Sequence, residues 1–131
     1  MNHPDFQFGL QSEIALTDKI REKFNPKLVK TGFQYAVLDF ECDDCLVELK
    51  TRKVRKDTYR DTMVGFNKIL AARKAGKTCY FVFAFTDGLF YWEYAPDKET
   101  DFRVAEGGRS DRGYDQFSTY AFIDCSKLIP F

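Results

Sequence analysis

The sequence predicts one domain over residues 1–131 of the α/β (α+β) class, in which helices flank a mixed central β-sheet. Helical and strand-like patterns alternate in the order α-β-β-α-β-β, followed by short C-terminal strands. One run, Cys79 to Phe85, is apolar at odd and even positions alike, which is typical of a central strand covered on both faces. Of the 131 residues, 44% are hydrophobic and 17% aromatic, enough for one core and too many for a disordered chain.

The N-terminal half contains one helix and one hairpin. The helix is predicted over Ser12 to Phe24, where apolar residues recur at helical spacing, and Asn25-Pro26 ends it. Two strand-like runs follow, Phe33 to Cys42 and Cys45 to Thr51, with Asp43-Asp44 between them. Two turn-forming residues between alternating runs predict a β-hairpin.

The second helix and second hairpin follow the same order. The helix is predicted over Thr58 to Ala75 and ends at Gly76, a residue that commonly closes helices. The central strand Cys79 to Phe85 then turns through Thr86-Asp87-Gly88 into the strand Leu89 to Tyr94.

For the C-terminal segment, the sequence predicts loops and two short strands. Pro96 to Thr100 is predicted as a polar loop, and Phe102 to Ala105 and Thr119 to Asp124 as short edge strands. Between them, Glu106 to Gly113 (EGGRSDRG) is predicted as a loop.

The formal net charge is zero, with 20 basic and 20 acidic residues, but the charges are unevenly distributed. From Glu48 to Lys77 there are ten basic and three acidic residues, a net charge of +7, so the rest of the chain carries −7. A basic segment of this kind is either a solvated helix face or a surface that attracts a polyanion.

The first hairpin concentrates charge on one face. With Asp43-Asp44 as the turn, Asp39 lies opposite Glu48, and alternation places both on one face with Lys50. The other face is wholly apolar and comprises Leu38, Phe40, Cys42, Cys45, Val47 and Leu49.

Two opposed carboxylates about 5 Å apart repel by about 3 kcal/mol at an effective dielectric constant near 20. A divalent cation converts this repulsion into coordination, and oxygen ligands favour Mg²⁺ or Mn²⁺ over Zn²⁺. The alternative is an exposed face on which Lys50 forms salt bridges with Asp39 and Glu48.

Two further residues are candidates for this site. Glu13, in the first turn of helix one, is either a third carboxylate or a residue that stabilises the helix dipole. Lys68, at the border of the apolar stripe of helix two, either reaches the site or extends its stem along apolar surface.

Other chemistries find less support. Cys42 and Cys45 form a CxxC, but Cys79 and Cys125 are isolated and the single histidine is His3, so reduced thiols are expected rather than a zinc site. No phosphate-binding glycine motif is present.

The longest apolar run has seven residues against the roughly 18 that cross a bilayer, and the first residues lack an apolar signal core. We expect a protein that is not secreted, located in the cytoplasm, the nucleus or a viral-replication compartment.

The arrangement of Glu13, Asp39 and Glu48-Leu49-Lys50 before a basic segment resembles the PD-(D/E)xK nuclease superfamily, which has the restriction-endonuclease-like fold. The chain is most similar to the Holliday-junction-resolvase branch and its small viral and phage relatives. The resemblance spans Phe8 to Tyr94, and Leu38 stands where many members have proline.

The resemblance implies a Mg²⁺-dependent endonuclease that hydrolyses DNA phosphodiester bonds, with Mn²⁺ as a substitute. Asp39, Glu48 and the backbone carbonyl of Leu49 would hold the metal, and Glu13 would complete the site. Lys50 would position and help deprotonate the attacking water. The candidate DNA contacts are Arg52, Lys53, Arg55, Lys56, Arg60 and Lys68.

The resemblance also implies a homodimer, because one site per chain cuts two strands most simply in pairs. No organic cofactor and no membrane partner is implied. Two alternatives stay open: a non-catalytic nucleic-acid-binding module that keeps the fold, and a structural or interaction domain.

Overall fold

The computed structural model describes residues 15–31, 38–109 and 116–131, and within them the chain forms two β-sheets with helices packed on them. Helix α1 covers 15–23, and helix α2 covers Phe66–Lys74. The strands are β1 (Val29–Lys30), β2 (Phe40–Glu41), β3 (Cys45–Thr51), β4 (Asp61–Gly65), β5 (Thr78–Phe85), β6 (Gly88–Tyr94), β7 (Phe102–Arg109), β8 (Gln116–Asp124) and β9 (Ile129–Pro130). Short 3-10 helices cover Pro96–Asp101 and Cys125–Lys127.

The larger sheet is mixed. Its strand order is β1-β2-β3-β5-β6-β9, and β3 and β5 are parallel while the other pairs are antiparallel. The smaller sheet is antiparallel, with the order β4-β8-β7. This architecture confirms the predicted mixed α+β class with a restriction-endonuclease-like sheet.

Strand β5 divides the core into two clusters, as predicted for a strand covered on both faces. On one face, Phe81 and Phe83 pack with Ile69 of α2 and with Ile123 of the smaller sheet. On the other, Val82 packs in a cluster that includes Ile20 of α1. The predicted hairpin is confirmed, since Phe85 pairs with Gly88 across the two-residue turn Thr86-Asp87.

The described part of the first predicted helix is helical over 15–23, and its apolar residues Leu16 and Ile20 are buried as expected. Phe24 follows the helix and stacks on Tyr80 at a centroid distance of 4.0 Å. Residues 12–14 of the predicted helix, including Glu13, lie outside the described residues.

The second predicted helix, Thr58 to Ala75, is wrong in its first half. Asp61–Gly65 forms strand β4, and α2 begins only at Phe66. Thr62 and Val64 are buried on one face of β4, where they pair with Ile123 and Ala121 of the distant strand β8. This pairing overrides local helix propensity. The predicted end is confirmed, because Gly76 follows the helix with a φ of +66°.

The predictions for the C-terminal segment also need correction. Pro96–Asp101 is a 3-10 helix rather than an open loop. Strands β7 and β8 are longer than predicted, and β8 is the central strand of its sheet rather than an edge. Glu106 to Arg109, predicted as loop, continues β7, while residues 110–115 lie outside the described part. Cross-strand pairing over nine residues of β8 explains the extension.

Among the residues that the structure describes, no helix is both long and apolar enough to cross a membrane.

Candidate active site

The first hairpin has the predicted register. Phe40 pairs with Val47 and Glu41 pairs with Leu46, and the preceding residue, Asp39, lies close enough for its charge to act on Glu48. The Oδ2 atom of Asp39 accepts a hydrogen bond from the Leu49 N–H at 2.8 Å. The Asp39 carboxylate is therefore held against the backbone of β3.

The apolar face of this hairpin is as predicted for five of its six residues. Phe40, Cys45 and Val47 are buried in the cluster beside α1, and Cys42 and Leu49 pack against them. Leu38 is the exception, because it packs in the cluster on the opposite side of the sheet. The described strand β2 contains only Phe40–Glu41, and the chain bends at residues 38 and 39, so strict alternation does not extend to Leu38.

Glu48 is a buried carboxylate. It is 1% exposed, and Leu46, on the same face of β3, packs against the cluster that contains Ile69 of α2 and Ile123 of the smaller sheet. Its Oε2 atom lies 3.1 Å from Lys50 Nζ and 3.6 Å from Lys68 Nζ. Its Oε1 atom is buried and has no hydrogen-bond partner. The exposed face of the alternative is therefore wrong at Glu48, whereas the salt bridge that it predicted between Lys50 and Glu48 is present.

The electrostatics of Glu48 are unfavourable to its own ionised form. Burial raises the pKa of Glu48, and the nearby charge of Asp39 raises it further. Lys50 and Lys68 act in the opposite direction, but the pKa of Glu48 remains above its ordinary value. Burial therefore opposes the ionised form of Glu48 more strongly than its two lysine neighbours stabilise it.

Lys68 reaches this site from helix α2. It lies in the first turn of α2, and its ammonium group meets the same Glu48 oxygen as Lys50 does. Of the two possibilities that the sequence left open, the structure favours contact with the site. Its border position on the apolar stripe was the only sequence signal for this contact.

The oxygen atoms present fit a hard divalent cation. Glu48 contributes a buried oxygen without a partner, Asp39 contributes a neighbouring carboxylate, and both lie beside the backbone of Leu49. Within the described ranges, no group of three His, Cys, Asp or Glu side chains is placed to hold a metal ion. The third predicted carboxylate, Glu13, lies outside those ranges.

A family model described as "Phage putative PDDEXK endonuclease" matches residues 6–127. The chain belongs to this family. The match confirms the resemblance to the PD-(D/E)xK superfamily, and it extends beyond Tyr94 into the C-terminal segment, where the sequence offered no motif. No match was found among curated proteins or among solved structures.

In this member of the phage endonuclease family, the basic segment does not form one helix face, because residues 52–60 form a loop after β3. Arg52 donates hydrogen bonds to the Thr62 hydroxyl at 3.4 Å and to the Met63 carbonyl oxygen, and burial lowers the pKa of Arg52. Arg52 therefore links the two sheets, a role that its position in the basic segment did not indicate.

The other predicted DNA contacts differ in their surroundings. Lys53, Arg55 and Arg60 are exposed on this loop, and Lys56 is half-buried with its ammonium group 4.9 Å from the centre of the Phe90 ring. Two basic residues outside the predicted contact set are engaged elsewhere. Arg73 pairs with Glu99, and Lys77 donates to the Cys42 carbonyl oxygen at 2.9 Å.

Proposed function

We propose that the chain is a Mg²⁺-dependent endodeoxyribonuclease in which Asp39, Glu48 and the Leu49 carbonyl hold the metal ion. One observation carries the proposal: Glu48 is buried and lacks a partner for Oε1, although its neighbours include another carboxylate. Leaving a buried polar atom unsatisfied costs about 1–3 kcal/mol, so a purely structural residue at this position would be apolar or fully paired. Mn²⁺ is expected to substitute for Mg²⁺, since both prefer oxygen ligands.

The proposed reaction is hydrolysis of a DNA phosphodiester by water. Water attacks phosphorus in line with the leaving 3′ oxygen, the P–O3′ bond breaks, and the products are a 5′-phosphate and a 3′-hydroxyl. A bound divalent cation supplies charge neutralisation at the phosphate and acidifies water. Lys50, whose side chain is 33% exposed, orients the water and donates to a phosphate oxygen. Lys68 adds positive charge from α2.

Three further features belong to this proposal. Glu13, which precedes the described start of α1 by two residues in the sequence, completes the metal site. The chain acts as a single domain and as a homodimer, since two copies supply the two sites needed to cut both strands. The substrate is either a branched structure, such as a four-way junction, or a specific duplex sequence, and the loop residues Lys53, Arg55, Lys56 and Arg60 contact its backbone.

The test incubates the purified chain with labelled four-way junction, flap, duplex and single-stranded DNA in Mg²⁺, Mn²⁺ or EDTA. We expect metal-dependent cleavage with 5′-phosphate products. Asp39→Asn and Lys50→Ala should each reduce the rate about 10²- to 10³-fold, as is typical when a group that stabilises developing charge is removed. Circular dichroism verifies that both variants remain folded.

The matched controls are Asp97→Asn and Lys27→Ala, which change exposed residues of the same types. Both should cut at the parental rate. If Asp39→Asn and Lys50→Ala also cut at that rate, the proposed site is wrong. If the chain binds DNA but no substrate is cut in either metal, the non-catalytic binding module replaces the nuclease.

A further inference from the structure

A cleft lies beside the proposed active site, between the loop 52–60 and the smaller sheet. Its volume is about 350 Å³, which falls within the range of small-ligand pockets. Four basic residues line it: Arg52, Lys53, Arg55 and Lys56. The acidic residue in the lining, Asp61, lies 3.5 Å from the guanidinium of Arg103 and is thus compensated. Arg55 forms ion pairs with Asp57 and Asp87, so the excess positive charge of the cleft comes from Arg52, Lys53 and Lys56, and it favours an anion.

The same cleft exposes side chains that can pack on a flat ring. Tyr59 is 65% exposed and Met63 is 39% exposed, and both line the cleft. Met63 pairs across the sheet with Phe122, a third lining residue, whose ring lies 4.3 Å from the guanidinium carbon of Arg103. Aromatic faces inside a basic groove are the combination with which proteins hold unpaired nucleotides, because every base has a flat face and every nucleotide a phosphate.

The loop 52–60, which carries the four basic residues of the cleft, is held in place by contacts within the chain. Asp87, in the turn between β5 and β6, accepts the Lys56 N–H at 2.9 Å and lies 3.8 Å from the guanidinium of Arg55. The Thr86 N–H also donates to the Val54 carbonyl at 3.0 Å. The cleft is therefore largely formed in advance, which reduces the entropy cost of binding.

The cleft directly continues the proposed active site. Arg52 follows Lys50 by two residues, and its N–H continues the β3–β5 pairing with a bond to Ala84 at 2.8 Å. Two residues of a strand span about 6.6 Å. Arg52 contacts Thr62 and Met63 of β4, on the side of the sheet where Glu48 meets Lys68. A strand whose phosphate lies at Lys50 thus reaches the cleft with an adjacent nucleotide.

We infer that this cleft binds one unpaired DNA nucleotide next to the scissile phosphate. The base lies against Tyr59 and Met63, and its phosphate lies among Lys53, Arg55 and Lys56. In a duplex, both faces of a base are covered by neighbouring bases, so only an unpaired or extruded base offers a face to Tyr59. The inference rests on the proposed action on DNA, and it makes single-stranded or branched DNA the preferred substrate over continuous duplex.

The test measures binding without cleavage. Fluorescence anisotropy in EDTA compares a labelled single strand, dT12, with a labelled 12-base-pair duplex, using the full chain. Stacking on one aromatic side chain contributes about 1–3 kcal/mol, so Tyr59→Ala should weaken dT12 binding about 5- to 150-fold. Duplex binding should change less than about twofold. Tyr59→Phe, which keeps the ring, should bind dT12 as the parent does.

The control is Val29→Ala, which truncates an exposed side chain on β1, the edge strand of the larger sheet. It should leave the affinities for dT12 and duplex unchanged. The inference is overturned if Tyr59→Ala binds dT12 as well as the parent, if it loses equal affinity for dT12 and duplex, or if the parent does not bind dT12. Cleavage is scored separately. If the parent cuts DNA and Tyr59→Ala binds dT12 as the parent does, only the nucleotide-binding cleft is refuted. If the binding results are as expected and no substrate is cut, only the nuclease proposal is refuted.

Discussion

Replacing Glu48 by glutamine should make the folded chain more stable while abolishing the proposed activity. The carboxyl group of Glu48 is buried beside Asp39, and its Oε1 atom has no partner. The amide has nearly the same shape and no charge. Because Glu48→Gln removes a charge that the folded state disfavours, we expect the free energy of unfolding to rise.

The size of the effect follows from the surroundings of Glu48. An unpartnered buried acceptor costs about 1–3 kcal/mol, and an ionised one lies toward the upper end. Part of the gain is lost because Lys50 and Lys68 lose an ionic partner, although their side chains are 33% and 20% exposed and regain hydration. We therefore expect a net gain of about 1 kcal/mol, which for this chain length is a rise in Tm of about 4 °C.

The dependence on pH has a definite sign. The ordinary pKa of Glu48 is 4.5, and the folded state raises it. A raised carboxyl pKa means that the folded state binds the proton more tightly than the unfolded state, so wild-type stability falls as pH rises through the folded pKa. The advantage of Glu48→Gln should therefore be full above the folded pKa and should disappear below pH 4.5.

The assay is thermal unfolding of both proteins in EDTA between pH 4 and pH 8. Glu106→Gln, which changes an exposed glutamate, is the control and should shift stability by less than about 0.5 kcal/mol. Mg²⁺ at ten times its dissociation constant should then stabilise the wild type by about 1.4 kcal/mol and leave Glu48→Gln unchanged.

The opposite result would refute the reasoning. If Glu48 serves mainly as an ionic anchor for Lys50 and Lys68, breaking a buried ion pair costs about 3–5 kcal/mol. Glu48→Gln would then unfold at a markedly lower temperature than the wild type in EDTA, and the site would be structural rather than functional.

Three further predictions concern the fold. Gly76→Ala should lower the free energy of unfolding by about 1–2 kcal/mol in urea titrations, because the φ of Gly76 is +66°. The space around this position is open, so the cost comes from the backbone conformation alone. An unchanged urea midpoint would contradict this backbone conformation. Trp92→Phe removes the 2.8 Å hydrogen bond to Asp101 and should lower stability by about 2 kcal/mol in thermal unfolding, whereas a neutral result would mean that this bond is absent. Burial raises the pKa of Cys45 to about 12 and that of Cys79 to about 11, so native protein at pH 8 should leave both unalkylated by iodoacetamide in peptide mass analysis; rapid labelling of either would contradict their burial.

The first hairpin could be predicted from sequence because its determinants are local. A two-residue turn and strict alternation set which residues face each other, and the pairing of Phe40 with Val47 confirms that register. The same local rules failed at Leu38, where the chain bends, since no sequence signal marked the bend.

Features that depend on distant parts of the chain could not be predicted. The sequence predicts helix where strand β4 lies, because Thr62 owes its extended conformation to pairing with Ile123, about sixty residues away. The burial of Glu48 has the same origin, since the residues that pack on this face of β3 come from α2 and the smaller sheet. The hairpin pattern therefore indicated which carboxylates face each other but not that Glu48 is removed from water.

The parallel pairing of β3 and β5 sets the order in which the chain can assemble. The hairpins β5–β6 and β7–β8 join neighbouring segments, whereas β3 and β5 meet only after residues 52–77 have closed as a crossover. Pulse-labelled hydrogen exchange should accordingly show the β5–β6 amides protected before the Arg52 amide, which bonds to Ala84 of β5. Glu48 is enclosed only when the crossover that carries Lys68 docks, so the proposed site forms after the local hairpins that supply its carboxylates.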